Sequence, residues 1–365
     1  MKRNMQDQMT VQTQYERMTQ TPIPKLLIQL SIPTIITMAV SNIYNLVDTA
    51  FVGTLGTSAS GAVGIVFGFM AILQAVGFLF GQGSGSILSR ELGSQDLPRA
   101  SETASTGFFA AFGLSVIVAI ICFLCLDPLV YALGSTETIA PYAKTYITYI
   151  LLASPFLVTS FTLNNILRFE GKAFLGMIGM MTGAVLNICG DALLMKVFDM
   201  GIAGAGLSTA ISQVASFLIL ISMFARGKTE CKISLALFTK NIRLFVDIVL
   251  TGLPSMLRQG LNSVATVLLN TEAAVCGTAY RDAEYGDAAI AGMSIVFRVA
   301  FFVFSIALGI GQGYQPISGY NYGAGKYSRV REGFRTTLWM CEGVIVILTA
   351  VVLWQSGNLI QIFRN

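Results

Sequence analysis

The sequence has no histidine, and only 12% of its 365 residues are Asp, Glu, Lys or Arg. Soluble domains carry about 25% charged residues. Without histidine there is no Ser-His-Asp triad, no histidine-held zinc and no histidine proton relay, so carboxylates must carry any proton chemistry. Cysteine is also sparse, at six. Cys122 and Cys125 form a CxxC inside an apolar run, with no second pair, and read as packing rather than metal or redox chemistry. The Gly-rich stretch GQGSG at 81–85 lacks the Lys-Ser/Thr ending of a phosphate loop and reads as a tight helix end at the cytoplasmic face. No nucleophile–base or metal constellation is visible, so an intramembrane enzyme is set aside and a secondary transporter is the expected class.

What remains is apolar: 54% of the residues are hydrophobic. A soluble interior could not hide that much surface, whereas lipid solvates it. At about 20 apolar residues per crossing, nine spans are expected near 26–52, 60–84, 104–130, 141–167, 174–197, 202–225, 243–274, 288–312 and 332–356. The polar first 24 residues show no cleavable signal, and the first 20 or so read as a mobile cytoplasmic tail. If the N-terminus is cytoplasmic, 17 of the 23 Lys and Arg fall on the inside, among them Arg90, Arg99, Arg168, Lys172, Lys326 and Arg329. That bias orients the chain with its N-terminus in the cytoplasm and explains the +4 charge without nucleic acid.

An internal repeat runs through the chain. IVF at 65–67 recurs at 295–297, GQG at 81–83 recurs at 311–313, and Gly93 and Arg99 return as Gly323 and Arg329, all at an offset of 230. Pro33 answers Pro254 at an offset of 221. The second copy therefore starts at the seventh span. Six spans is an even number, so the copies are parallel repeats about the membrane normal, an arrangement found in secondary transporters. The expected organisation is all-α: a tail at 1–24, an N-lobe of six helices at 25–226, a linker at 227–242 and a partial C-lobe of three helices at 243–365. The second lobe is three spans short of the first, as a truncated product or fragment of a twelve-span protein would be.

Ionisable residues inside spans are functional candidates by default, at about 2.5–3.5 kcal/mol each. Asp48 lies toward the outer end of the first span. Asn187 and Asp191 share one face of the fifth at i and i+4, and Thr209 lies in the sixth. Two carboxylates, an amide and a hydroxyl suit a proton or a hard cation such as Na⁺, and nearby buried carboxylates do not ionise independently. Arg258 and Arg298 fall near the middle of the seventh and eighth spans, where they neutralise carboxylates or line a cavity. Glu342, near the inner end of the ninth, reads as a snorkelling or interhelical group.

IPTIITMAVSNIYNLVDTAFVG, LNICGDALL and GIGQGYQPISGYNYGAGKYSRV resemble the corresponding segments of the multidrug and toxic compound extrusion (MATE) transporters, and the resemblance extends over about 25–356. It implies twelve helices in two lobes around a central cavity. It also implies export of organic cations or amphiphilic drugs across the plasma membrane in exchange for Na⁺ or H⁺, with no other cofactor and one chain acting as a monomer. Asp48, Asn187, Asp191 and Thr209 match the family's N-lobe cation site, the only metal site expected. Some members carry a Glu eight residues after the seventh-helix proline. Here that position is Asn262, a cavity candidate with Arg258 and Arg298, so coupling is expected to rest on the N-lobe. The rival expectations are a flippase for lipid-linked oligosaccharides and an inactive truncated product.

Overall fold

The computed structural model describes residues 14–280 and 283–355, with most positions between 262 and 299 described as backbone only. Among the described residues, nine long helices follow one another. They are α1 (Ile23–Gly53), α2 (Thr57–Gly93), α3 (Leu97–Leu124), α4 (Ala140–Phe169), α5 (Ala173–Asp191), α6 (Gly201–Ala225), α7 (Ile242–Tyr280), α8 (Ala283–Gly323) and α9 (Tyr327–Trp354). A short helix, Leu126–Ala132, links α3 to α4. Among the described residues, eight of the nine long helices include a stretch apolar and long enough to cross a membrane, and α7 is not one of the eight. No strand occurs among the described residues, and helices satisfy most of their backbone groups internally, as lipid demands. This is an all-α polytopic membrane protein.

Successive helices alternate in direction. The corners α2–α3, α4–α5 and α8–α9, the linker after α6 and the chain's N-terminal segment therefore share one end, called here the basic end. The helix termini there are set by local chemistry. Pro22 starts α1, Asp96 caps α3 by accepting from the Arg99 N–H, and Gly171, at φ +78, turns the chain between α4 and α5.

Two expectations are corrected here, for the tail and for GQG; the part of the tail before residue 14 lies outside the described residues. Residues 14–20 are helical rather than a loose tail, because Met18 is fully buried against the bundle. The linker is also fastened: Lys232 N–H and Ser234 N–H donate to the hydroxyls of Ser101 and Ser105 on α3. GQG at 81–83 is not a helix end, since α2 continues to Gly93. Its glycines are needed for close crossings instead. A Cβ on Gly81 would lie 2.8 Å from the Asn165 Cβ, and one on Gly83 would lie 3.0 Å from the Ile248 carbonyl carbon.

The first six helices and the last three meet along α1–α8, α2–α7 and α2–α8. The repeat is visible in that seam. Gly93 abuts the backbone of Tyr320, and Gly323 abuts that of Arg90, so residues 230 apart exchange places. Gly83 abuts α7 at Ile248 and Gly252, while Gly313 abuts α1 at Ser31. One seat lacks its counterpart among the described residues: Gly81 meets Asn165 of α4, whereas nothing lies within 4 Å of a Cβ on Gly311.

Candidate functional site

Four helices of the first six bring polar groups to one buried point. α1 supplies Asp48, α4 Tyr146, α5 Asn187 and Asp191, and α6 Ser208 and Thr209, all 0–3% exposed. α1 packs on α5, and α5 on α6, which sets Asp48 beside Asp191. Locally, Asp191 ends the regular part of α5, and Ala192–Val197 continue as a π-helical turn. Such turns rotate the helix face and recur at functional sites. Glycine makes room: a Cβ on Gly190 would meet the Ser208 side chain, and one on Gly206 would lie 2.8 Å from the Tyr149 ring.

The hydrogen bonding is one-sided. Asn187 Nδ2 donates to Thr209 Oγ1 at 3.2 Å, and Ser208 Oγ donates to the Asn187 carbonyl at 2.9 Å. Asp48 Oδ1, both oxygens of Asp191 and Asn187 Oδ1 are buried without a donor, as is the Tyr146 hydroxyl oxygen. Buried polar atoms are ordinarily satisfied. Here the unsatisfied ones are oxygens on two adjacent carboxyl groups and an amide, a set that lacks positive charge. It fits one or two protons or a monovalent cation held through oxygen. Among the described residues there is no cluster of three or more His, Cys, Asp and Glu suited to a metal.

The structure thus brings Asp48, Asn187, Asp191 and Thr209 together. Arg258 lies elsewhere, half-buried on α7, and the side chains of Asn262 and Arg298 lie outside the described residues. Two members of the acidic cluster were not anticipated: Tyr146, one of several tyrosines in the fourth span, and Ser208, next to Thr209. Neither carries a formal charge, so neither stands out in an apolar run.

Arg168 was also missed, having been read only as a reporter of topology. It is 4% exposed at the end of α4 and joins the two parts of the chain. Its guanidinium donates to Gln312 Oε1, to Asn165 Oδ1 at 2.6 Å and to Gln315 Oε1 at 3.2 Å, and it lies 5.3 Å from the centre of the Phe169 ring. Beside this knot, between α2, α7 and α8, is a polar cavity of about 370 Å³ reached by Gln82, Ser86, Arg90, Thr251, Ser255 and Gln315.

Comparison with known proteins agrees with this geometry. The Multidrug export protein MepA of Staphylococcus saprophyticus subsp. saprophyticus is 29% identical over 342 residues, covering 93% of this chain and 74% of that protein. Its namesake from Staphylococcus aureus (strain MSSA476) is 29% identical over 338 residues, covering 92% and 72%. Among solved structures, an outward-facing multidrug resistance MATE family transporter of the MOP superfamily superimposes with a TM-score of 0.88 at 25% identity, over 95% of this chain and 75% of that one. A Pyrococcus furiosus transporter, described as a MOP superfamily member whose reverse-polarity binding pocket suggests a different function, gives 0.87 at 25%, over 96% and 75%. These relatives are transporters, and the named ones export drugs, which favours efflux over the flippase expectation. The profile of the MatE family matches residues 33–193 and 282–365. With the helix order, the buried acidic cluster and these relatives all in accord, the chain belongs to the MatE family of multidrug efflux transporters.

Proposed function

We propose that the chain is a cation-coupled antiporter that exports cationic or amphipathic small molecules by alternating access, with Asp48 and Asp191 as the coupling pair. The observation that carries this is the pairing of two buried carboxyl groups on α1 and α5 with acceptor oxygens that lack donors. Ionised together in low dielectric they repel, so the helices bearing them are held closely only when a proton or Na⁺ lies between them. Asn187 and Thr209 complete an oxygen shell, and Tyr146 and Ser208 orient it.

Entry of the cation from outside favours the state that releases substrate, and its departure on the other side resets the transporter. The lobes that rock are residues 25–226 and 243–365, joined by the linker, with the N-terminus in the cytoplasm and the protein in the plasma membrane. One charge crossing 100 mV supplies about 2.3 kcal/mol, enough for a roughly fifty-fold gradient at about 1.36 kcal/mol per tenfold.

The test is Asp48→Asn, assayed as ethidium efflux from cells and from vesicles under imposed Na⁺ or H⁺ gradients. The variant is expected to reach the membrane and lose gradient-driven efflux. Efflux that responds to the gradient as in the parent overturns the assignment, and whichever gradient drives the parent names the ion.

A further inference from the structure

The polar cavity beside the Arg168 knot has no part in the chemistry above. It is built across the seam between the first six helices and the last three. Gln82, Ser86 and Arg90 reach it from one face of α2, Thr251 and Ser255 from one face of α7, and Gln315 from α8. Arg90 and Tyr322 are exposed at its mouth, and Gln82 is buried at its floor. No Asp or Glu is among its lining residues.

The charge around the cavity is positive. Arg90 donates to the Ser86 carbonyl at 3.1 Å and to Ser86 Oγ at 3.2 Å, which leaves its Nη1 without a partner among the described residues. Arg258 extends the Thr251–Ser255 face of α7 and lies close enough to Arg168 for the two like charges to interact. Neither forms an ion pair among the described residues. Arg168 is bonded only to amide oxygens. Glu170, two residues on, faces away: its carboxylate oxygens accept the linker N–H groups of Glu230 and Cys231, each at 3.0 Å, and its carbonyl accepts from Gln14 Nε2 at 2.9 Å. Asp247, a turn from Thr251, is exposed and is not part of the lining.

The acidic cluster leaves oxygens without donors, whereas this knot leaves donors without acceptors. Arg168 Nε and Gln312 Nε2 are both buried and unpaired. Gln315 turns its Oε1 to Arg168, so its N–H groups remain for the cavity that it lines. Buried guanidinium groups are ordinarily paired with an acid. Here two of them approach each other across the seam, with a cavity beside them and no acid.

We propose that this cavity is an anion site for a phosphate group, presented by a phospholipid headgroup or by a free phosphate compound. A guanidinium fork together with amides and hydroxyls from three helices can serve three or four oxygens, which suits phosphate better than carboxylate. The volume, about 370 Å³, is that of a small-ligand pocket. Basic pockets between transmembrane helices hold anionic headgroups by the same chemistry. A bound phosphate offsets positive charge contributed by both parts of the chain, so it favours the arrangement in which the basic end is shut. The site is separate from the Asp48–Asp191 cluster and its test uses no ion gradient, so either reading can fail alone.

The test is the thermal midpoint of the purified full chain in a neutral detergent, at one fixed pH and in potassium salts. One arm compares potassium phosphate with potassium chloride at equal ionic strength. The other compares dihexanoyl phosphatidylglycerol with dihexanoyl phosphatidylcholine, whose choline cancels the phosphate charge. A saturable rise is expected in at least one arm. A rise with phosphate assigns a free phosphate compound, and a rise with phosphatidylglycerol alone assigns a headgroup. Arg90→Gln and Arg258→Gln should each raise the concentration at half the rise about tenfold. Ser255→Glu places a carboxylate in the cavity, and should raise the midpoint without added anion and erase the response. No rise beyond the controls in either arm overturns the site, as does a half-point left unchanged in either arginine variant. Should those variants fail to fold, Ser255→Glu decides: a protein that responds as the parent does overturns the proposal.

Discussion

The reciprocal glycine crossing at the basic end permits a prediction with a worked magnitude. A Cβ on Gly93 would lie 2.9 Å from the Tyr320 Cα, and one on Gly323 would lie 2.8 Å from the Arg90 carbonyl carbon. Carbon atoms ordinarily approach to about 3.5–4.0 Å, and the Tyr320 and Arg90 carbonyl oxygens lie closer still, so alanine at either position requires α2 and α8 to part locally by about 1 Å or more. The contacts are with backbone, which cannot rotate away. Overpacking of this kind costs about 1–3 kcal/mol. The two crossings lie three residues apart on one seam, so a single separation relieves both. Gly93→Ala and Gly323→Ala should each lower the thermal midpoint in detergent, and the double variant should lose little more than the worse single one. Positions that share one displacement are not additive. Gly113→Ala, where nothing lies within 4 Å, is the control and should leave the midpoint unchanged or slightly raised. Fully additive losses, or seam variants no less stable than the control, would refute the reciprocal crossing as a close inter-repeat contact.

Three further outcomes follow from other sites. Tyr146→Phe keeps the packing of a fully buried ring but removes the hydroxyl beside Asp48, and should weaken the apparent affinity for the coupling ion about tenfold with protein level unchanged; an unaltered ion dependence removes Tyr146 from the site. Arg168→Leu leaves Asn165, Gln312 and Gln315 without their donor, at about 1.5–3 kcal/mol per charged hydrogen bond, and should unfold at lower temperature than Arg168→Lys, which keeps the charge but not the fork. Equal midpoints for the two would argue against the fork. Ser105→Ala removes both an acceptor for Ser234 N–H and a donor to the Lys232 carbonyl, and should increase proteolysis within 228–241 while sparing the helices. An unchanged cleavage pattern would show that the linker is held elsewhere.

How much of this could be read in advance varied with the physics of each residue. Helix number followed from apolar runs, because lipid leaves the backbone few alternatives; of the nine crossings expected, eight are found among the described residues. Asp48 and Asp191 stood out because an acid in an apolar run is expensive, and Asn187 because it shares Asp191's face. Tyr146 and Ser208 gave no such signal, since a phenol and a hydroxyl are tolerated anywhere in a bundle. Arg168 misled for a different reason, and Glu170 drew no notice on the same ground. Charges at span ends normally mark the water boundary, and only the folding of residues 14–21, the linker and α8 over that corner buries them. The repeat was legible as an offset of 230, but not that its glycines would face each other's backbone across the seam.

The central proposal is that cation binding at the Asp48–Asp191 pair opposes substrate binding by favouring the state that releases it. It is tested most directly by equilibrium binding of a fluorescent cation such as ethidium to the purified protein, titrated against Na⁺ and against pH. The account predicts that one of these ions weakens ethidium binding, that ethidium weakens that ion's binding by the same factor, and that Asp48→Asn abolishes the effect. Ethidium affinity that is indifferent to both ions in the parent, or antagonism that persists in Asp48→Asn, would contradict it.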